Sequence, residues 1–142
     1  LERVHLPFED LLNELDDSSV DHHPLEAIRL SCHAGLRQAD TPRHRRVHGI
    51  LLHHCERTDD FDPLEAKAEI ARETCQALLR QFKQADLKQQ LRPGLSPERA
   101  TDLFHYALSG LFWEWLRAPQ AFTLSERGPA LVDDLIRLIG RD

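Results

Sequence analysis

The chain has no methionine, a single tyrosine, two tryptophans and only 6 glycines in 142 residues. Each shortage excludes something. There is no glycine-rich phosphate loop, no serine held in a nucleophile elbow and no HExxH pair, so the main signatures of nucleotide enzymes, hydrolases and zinc peptidases are missing. We expect a protein that is not an enzyme and that carries no cofactor. The cysteines, Cys32, Cys55 and Cys75, are odd in number, widely spaced and never arranged as CxxC. That argues against a disulfide framework or a zinc ribbon and for reduced thiols behaving as small apolar residues. No apolar run approaches the roughly 18–20 residues that a membrane-spanning helix needs. The opening LERVHLPFEDLL has neither the basic segment nor the cleavage site of a signal peptide, so the expected location is the cytoplasm, with no membrane partner. Positive charge is also lacking: 18 Lys and Arg face 24 Asp and Glu, a net charge of −6. A protein that neutralises phosphates needs a basic face. The one basic cluster, Pro42 to Arg46, is short and reads as a solvated helix start, so this chain is not expected to hold nucleic acid by itself. The absence of methionine even at position 1 leads us to expect a segment of a longer protein.

What the chain does have is helical periodicity. Its size suits one domain, residues 1–142, large enough to bury a core. Leu1, Val4, Phe8, Leu11, Leu12 and Leu15 fall on one helical stripe, interrupted by Pro7. A second helix opens at Pro24, a residue suited to the first helical turn, with Leu25, Ile28, Cys32 and Leu36 inward. Thr41-Pro42 opens a third, reaching about Glu56. Asp62-Pro63-Leu64-Glu65 opens a fourth with a capping-box pattern; Leu64, Ala68, Ala71, Cys75, Leu78, Phe82 and Ala85 follow at three- and four-residue steps, and the helix is expected to end before Pro93-Gly94. Ser96-Pro97-Glu98 opens a fifth, stopped by Pro119. Thr123 to Glu126 signals the cap of a sixth, with Gly140 as its stop and Gly128-Pro129 obscuring its first turn. The expected fold is all-α, a six-helix bundle.

The fifth and sixth helices are apolar over more than one stripe. Leu103, Ala107, Leu111 and Trp115 make one line, Phe104, Leu108, Phe112 and Leu116 a second, and Tyr106 and Trp113 a third. The sixth ends on Leu131, Val132, Leu135, Ile136, Leu138 and Ile139. A chain this small has little room to surround two such helices, and pairing them with their copies across a two-fold axis buries the excess. The alternative is that both occupy the centre of one subunit.

Two segments carry a family resemblance. Arg45-Arg46-Val47-His48-Gly49-Ile50-Leu51-Leu52-His53-His54-Cys55-Glu56 and Gly110-Leu111-Phe112-Trp113-Glu114-Trp115-Leu116-Arg117-Ala118-Pro119-Gln120-Ala121-Phe122 resemble segments of the multidrug-efflux repressors of the TetR family, the AcrR-like and TtgR-like branch. The likeness runs from about Pro24 to Ile139. It implies a C-terminal effector-binding and dimerisation domain, whose last two helices pair with those of a second subunit in a four-helix bundle. Leu103, Tyr106, Trp113, Leu131, Leu135 and Leu138 are the residues we assign to that face. It also implies an N-terminal helix-turn-helix domain that reads operator DNA and is absent here, with residues 1–15 as the connector to it.

The resemblance further implies a cavity for an apolar or amphipathic small molecule, lined by His48, Leu52, Thr74, Leu78, His105, Leu108 and Ser109. Close relatives carry an asparagine–glutamate type pair at His48 and Gly49, and some carry an acid at Ser109. With those acids missing, a neutral or phenolic ligand is favoured over a strongly cationic one. Each residue also has a plainer reading: His48 as a core histidine bonded to a carbonyl, Ser109 as a small residue at a helix crossing, Leu52, Leu78 and Leu108 as ordinary core. His44, His48 and Cys55 share a helical spacing open to zinc, but no spacing identifies a fourth ligand, and we expect no metal. Glu65, Glu69 and Glu73, four residues apart, read as a solvated face rather than an acid–base row.

Overall fold

The computed structural model describes residues 23–42, 46 and 63–141. Among them lie four helices: α1 (Pro24–Ala39), α2 (Pro63–Leu87), α3 (Pro97–Arg117) and α4 (Leu124–Ile139). The expected helix over 1–15 and nearly all of the one expected over 42–56 fall outside the described residues. The six-helix bundle is therefore seen as four helices, and the only β pairing among the described residues is one isolated bridge.

The helix starts follow local chemistry. His23 caps α1 in an extended conformation, with its Nδ1 accepting from Glu26 N at 3.4 Å and Pro24 in the first turn. Ser96 caps α3, its Oγ accepting from Arg99 N at 3.2 Å. At α4 the outcome differs from expectation. Thr123 has the extended backbone of a cap, but its side chain makes no capping bond. The N–H of Ser125 donates instead to Asp40 Oδ2 at 3.2 Å. Asp40 thus ends α1 and caps α4, supplying an acceptor where the helix leaves an N–H unpaired and a negative charge where its dipole is positive. Pro129 sits inside α4, only a turn from the start, where its missing N–H forfeits one bond.

Helix α2 ends at Leu87, before the Pro93-Gly94 pair as expected. Gln89 takes a left-handed φ of 58°; Gln90 N donates to Ala85 O at 2.8 Å and Gln89 N to Asp86 O at 3.0 Å. This pair of bonds is a Schellman ending, built on glutamine where glycine is favoured, which is why no sequence signal marks it.

The residues after α2 then hold the end of α4. Leu91 and Gly140 form the antiparallel bridge, Arg92 N donates to Ile139 O at 2.8 Å and Arg141 N to Gln90 O at 2.7 Å. Arg92 Nε adds a bond to Leu138 O at 2.8 Å. The carbonyls of Leu138 and Ile139 at the end of the helix are thereby satisfied. Gly140 has ordinary extended backbone here. Its need for hydrogen in place of a side chain is steric, since a Cβ would lie 2.9 Å from Ile136 O and 3.3 Å from Leu25 Cδ1.

Helices α1 and α4 run antiparallel. Leu25 faces Gly140, Arg29 and His33 face Asp133, Leu36 faces Gly128 and Asp40 faces Ser125. The core joins Leu25, Ile28, Cys32 and Leu36 of α1 to Leu78 and Phe82 of α2, Phe104 and Trp115 of α3 and Val132 of α4. In α3 the buried line is Ala100, Phe104, Leu108, Leu111 and Trp115. It cuts across two of the three lines read from sequence and leaves Leu103 half out, at 50% exposure.

Candidate functional site

The inward faces of α2 and α3 carry most of the candidate ligand residues that the structure describes. Leu78 is fully buried, and Leu108 and Thr74 are buried. Thr74 Oγ1 is sealed from solvent and has no hydrogen-bond partner. A helical threonine can return its hydroxyl to a carbonyl one turn back, as Thr101 does with Pro97 O at 2.8 Å; Thr74 does not. Such a group loses water without replacing it, which costs about 1–3 kcal/mol.

His105 is half-buried and Ser109 exposed, one turn apart on α3, with Nδ1 and Oγ 3.5 Å apart. The structure therefore separates the assigned residues: Thr74, Leu78 and Leu108 lie in the interior, His105 on its flank and Ser109 at the surface. His48 and Leu52 lie outside the described residues, as do His44, His53, His54 and Cys55. Burial lowers the His105 pKa below its ordinary value, opposed by the negative charge of Asp102, so the ring is a neutral group near pH 7. Cys75 is raised by burial and by the same Asp102 charge, and burial alone pushes Cys32 up to about 12. Both thiols stay protonated and behave as small apolar groups. Among the described residues no group of three or more His, Cys, Asp or Glu is placed to hold a metal. Glu69 pairs at the surface with Arg72 at 2.8 Å, whereas Glu73 is half-buried rather than fully solvated.

Sequence reasoning passed over Ser31. It is buried to 1% on α1, and its Oγ, like that of Thr74, is sealed and without a partner. The signal was a four-residue rhythm of small residues, Ala27, Ser31 and Gly35, all buried.

A second feature lies on the outside of α3 and α4. Leu103, Tyr106, Trp113 and Leu138 are exposed at 50%, 68%, 44% and 66%. Leu131 and Leu135 are half-buried and packed against the core. Gly110 lies between Tyr106 and Trp113 with open space where its Cβ would be. Leu103, Tyr106 and Trp113 fall on one stripe of α3 by their spacing, and exposed large apolar side chains of this kind mark association surfaces.

Residues 23–140 match the sequence model of the C-terminal region of MAATS-type transcriptional repressors. The chain belongs to this family. It is a TetR-family repressor C-terminal region, as the two resembling segments implied. A curated relative, the probable acrEF/envCD operon repressor of Escherichia coli K12, is 26% identical over 141 residues, covering 94% of this chain and 61% of the relative. The TetR-type chain thus spans less than two thirds of that repressor. Among solved structures it is similar to NalD of Pseudomonas aeruginosa, the secondary repressor of the MexAB-OprM multidrug efflux pump, at 26% identity and a TM-score of 0.78, covering 98% of this chain and 71% of NalD. SmeT, the repressor of the Stenotrophomonas maltophilia pump SmeDEF, shares the fold at 23% identity and a TM-score of 0.82, over 99% of this chain and 78% of SmeT. SmeT has also been solved as a complex with triclosan.

Proposed function

We propose that this chain is the effector-binding and dimerising part of a TetR-type repressor that controls an efflux or stress gene. An apolar or amphipathic small molecule enters the core, and operator DNA held by an N-terminal helix-turn-helix domain is released. The ligand does this by its differential affinity for the two arrangements of the dimer, through a connector over residues 1–15. The part is not catalytic and works in the cytoplasm, where operator DNA is.

The observation that carries this reading is the inner face of α2: Leu78 buried with no exposure and, one turn away, the Thr74 hydroxyl sealed without a partner. Small-molecule sites have this composition, apolar walls with a few polar groups that fix orientation. His105, neutral and half-buried, and Leu108 complete the described part of the assigned lining; His48 and Leu52 are assigned with them, and Ser109 at the rim.

The test is a thermal melt of the chain against planar phenolics, triclosan among them, cationic dyes and hydrophobic antibiotics. A ligand at about 100 times its dissociation constant stabilises by about 2.7 kcal/mol, which raises the midpoint by several degrees. A saturating shift with one chemical class supports the reading. No shift across the panel leaves a helical dimerisation module without a ligand.

Dimerisation has its own readout. Leu103, Tyr106, Trp113, Leu131, Leu135 and Leu138 form the proposed homodimer face. Light scattering should give about twice the 16.4 kDa chain mass, and Trp113→Glu together with Leu138→Glu should return a folded monomer.

A further inference from the structure

Among the described residues four polar side chains are buried: Ser31, Thr74, Gln81 and Thr101. Thr101 is bonded to Pro97 O, and Gln81 has an interaction of its own. Ser31 and Thr74 are left, each with its hydroxyl oxygen shut off from solvent and from every hydrogen-bond partner.

Their placement is informative. The residues of α1 that meet α4 are Leu25, Arg29, His33, Leu36 and Asp40. At about 100° per residue, Ser31 lies nearly half a turn away from that set, on the side turned from α4. Its neighbours one turn before and after are Ala27 and Gly35, both buried, so the side chains flanking the hydroxyl are small. Thr74 stands on the buried face of α2, flanked by Ala77 and Leu78, and α2 packs against α1. Two adjacent helices thus each carry one buried, unsatisfied hydroxyl. The Glu73 carboxylate next to Thr74 is half-buried, with its Oε2 also sealed from solvent.

Native proteins pair nearly all buried polar groups, so each exception calls for a reason. The sealed atoms also include Glu73 Oε2 and Gln90 Oε1, on residues less deeply buried; the two hydroxyls on neighbouring helices have a common reason if the interior closes over them only while empty.

Resting on the effector reading above, we propose that Ser31 and Thr74 are the polar anchors of the effector site, and that the effector is a mainly apolar molecule bearing a hydroxyl or carbonyl. In the ligand-free state the two hydroxyls are desolvated and unpaired. A ligand that opens the core and offers a hydrogen-bonding group satisfies them, while a purely apolar ligand of the same shape fills the space and leaves them as they are.

A matched pair of probes tests this on the whole chain: 4-phenylphenol and 4-methylbiphenyl, which differ by a hydroxyl in place of a methyl. Calorimetry or a thermal melt should show the wild type preferring the phenol by about tenfold, the equivalent of about 1.4 kcal/mol. Ser31→Ala and Thr74→Val should each shrink that preference toward unity. The variants also have a ligand-free readout. Removing an unpaired buried hydroxyl is neutral or stabilising, so neither variant should lower the melting temperature. A drop of several degrees in either means its hydroxyl has a partner in solution and overturns the proposal. So does an unchanged phenol preference in both variants, or a wild type that binds the two probes equally; these leave the effector reading standing. Binding of neither biphenyl, with other members of the apolar panel still bound, likewise removes only the anchors and the ligand class. Failure of the whole panel removes both readings.

Discussion

Along α1 and α4 the two helices meet level by level: Leu25 against Gly140, Arg29 and His33 against Asp133, Leu36 against Gly128, Asp40 against the first turn of α4. Between α2 and α3 the described contact is mostly apolar bulk, with the rings of Phe82 and Phe104 tilted at 59° and 5.5 Å apart. The first seam has directional bonds and close backbone approach, which allow one register. The second region is held by non-directional burial and includes a polar atom with nowhere to bond, Thr74 Oγ1. Burial without direction tolerates rearrangement better than keyed contacts do. The keyed seam suits a frame, and the apolar pair suits the wall of a site that must open.

The sharpest way to test that contrast is to remove bulk from one side and add it to the other. Phe104→Ala takes a fully buried ring from between α2 and α3 and should destabilise by about 3–5 kcal/mol in urea unfolding. Gly128→Val pushes a side chain into Leu36, whose Cδ1 already lies 2.9 Å from the position of a Cβ. Overpacking of this kind costs about 1–3 kcal/mol. If α1 and α4 are the rigid frame, Gly128→Val should also slow effector-independent association through α4. A stability unchanged by Gly128→Val would show that the seam yields as readily as the site wall.

These elements were unequally legible in the sequence. Pro24, Pro97 and Ser96 act locally, through a fixed φ and a side chain three residues from its partner, and they mark the starts of α1 and α3 where the helices begin. The stripe Leu25, Ile28, Cys32 and Leu36 is buried as its spacing requires. In α3 three apolar lines competed, and periodicity alone does not say which faces a neighbouring helix; packing selected Phe104, Leu108, Leu111 and Trp115 and left Leu103 and Tyr106 outside. The end of α2 rests on a glutamine in a conformation that glycine usually takes, a tertiary choice with no compositional mark. The site was the least legible part. The family resemblance assigned Thr74, Leu78 and Leu108, which are buried, to a candidate site; the lone hydroxyl of Ser31 reads in sequence as one more small helical residue.

A smaller effect separates local from long-range capping. Asp40 lies 85 positions before the N–H it accepts, whereas Thr123 has the right place and type but makes no bond. Asp40→Ala should lower stability by about 1 kcal/mol, and Thr123→Ala should leave it almost unchanged. The reverse order in thermal melts would mean that α4 is capped from within and that one tie of the α1–α4 seam is absent in solution.

The smallest expected effect concerns His105, on the flank of the α2–α3 region. Its folded pKa lies below the ordinary 6.5 because burial disfavours the imidazolium, against the pull of Asp102. Between those two values the unfolded chain holds more protons than the folded one, so stability rises with pH across that window and falls as the solution is acidified through it. Acidification from about pH 7 to about pH 5 should therefore weaken the wild type more than His105→Gln, whose side chain does not titrate there. The same acidification should weaken binding of a ligand that displaces water around the ring, because a charged His105 resists desolvation. Parallel stability curves for the two proteins would mean that the ring is solvated in both folded and unfolded chains. The flank of the α2–α3 region would then be open to water even when empty, and the difference between a keyed frame and a closed, yielding wall would be confined to the interior around Thr74 and Leu78.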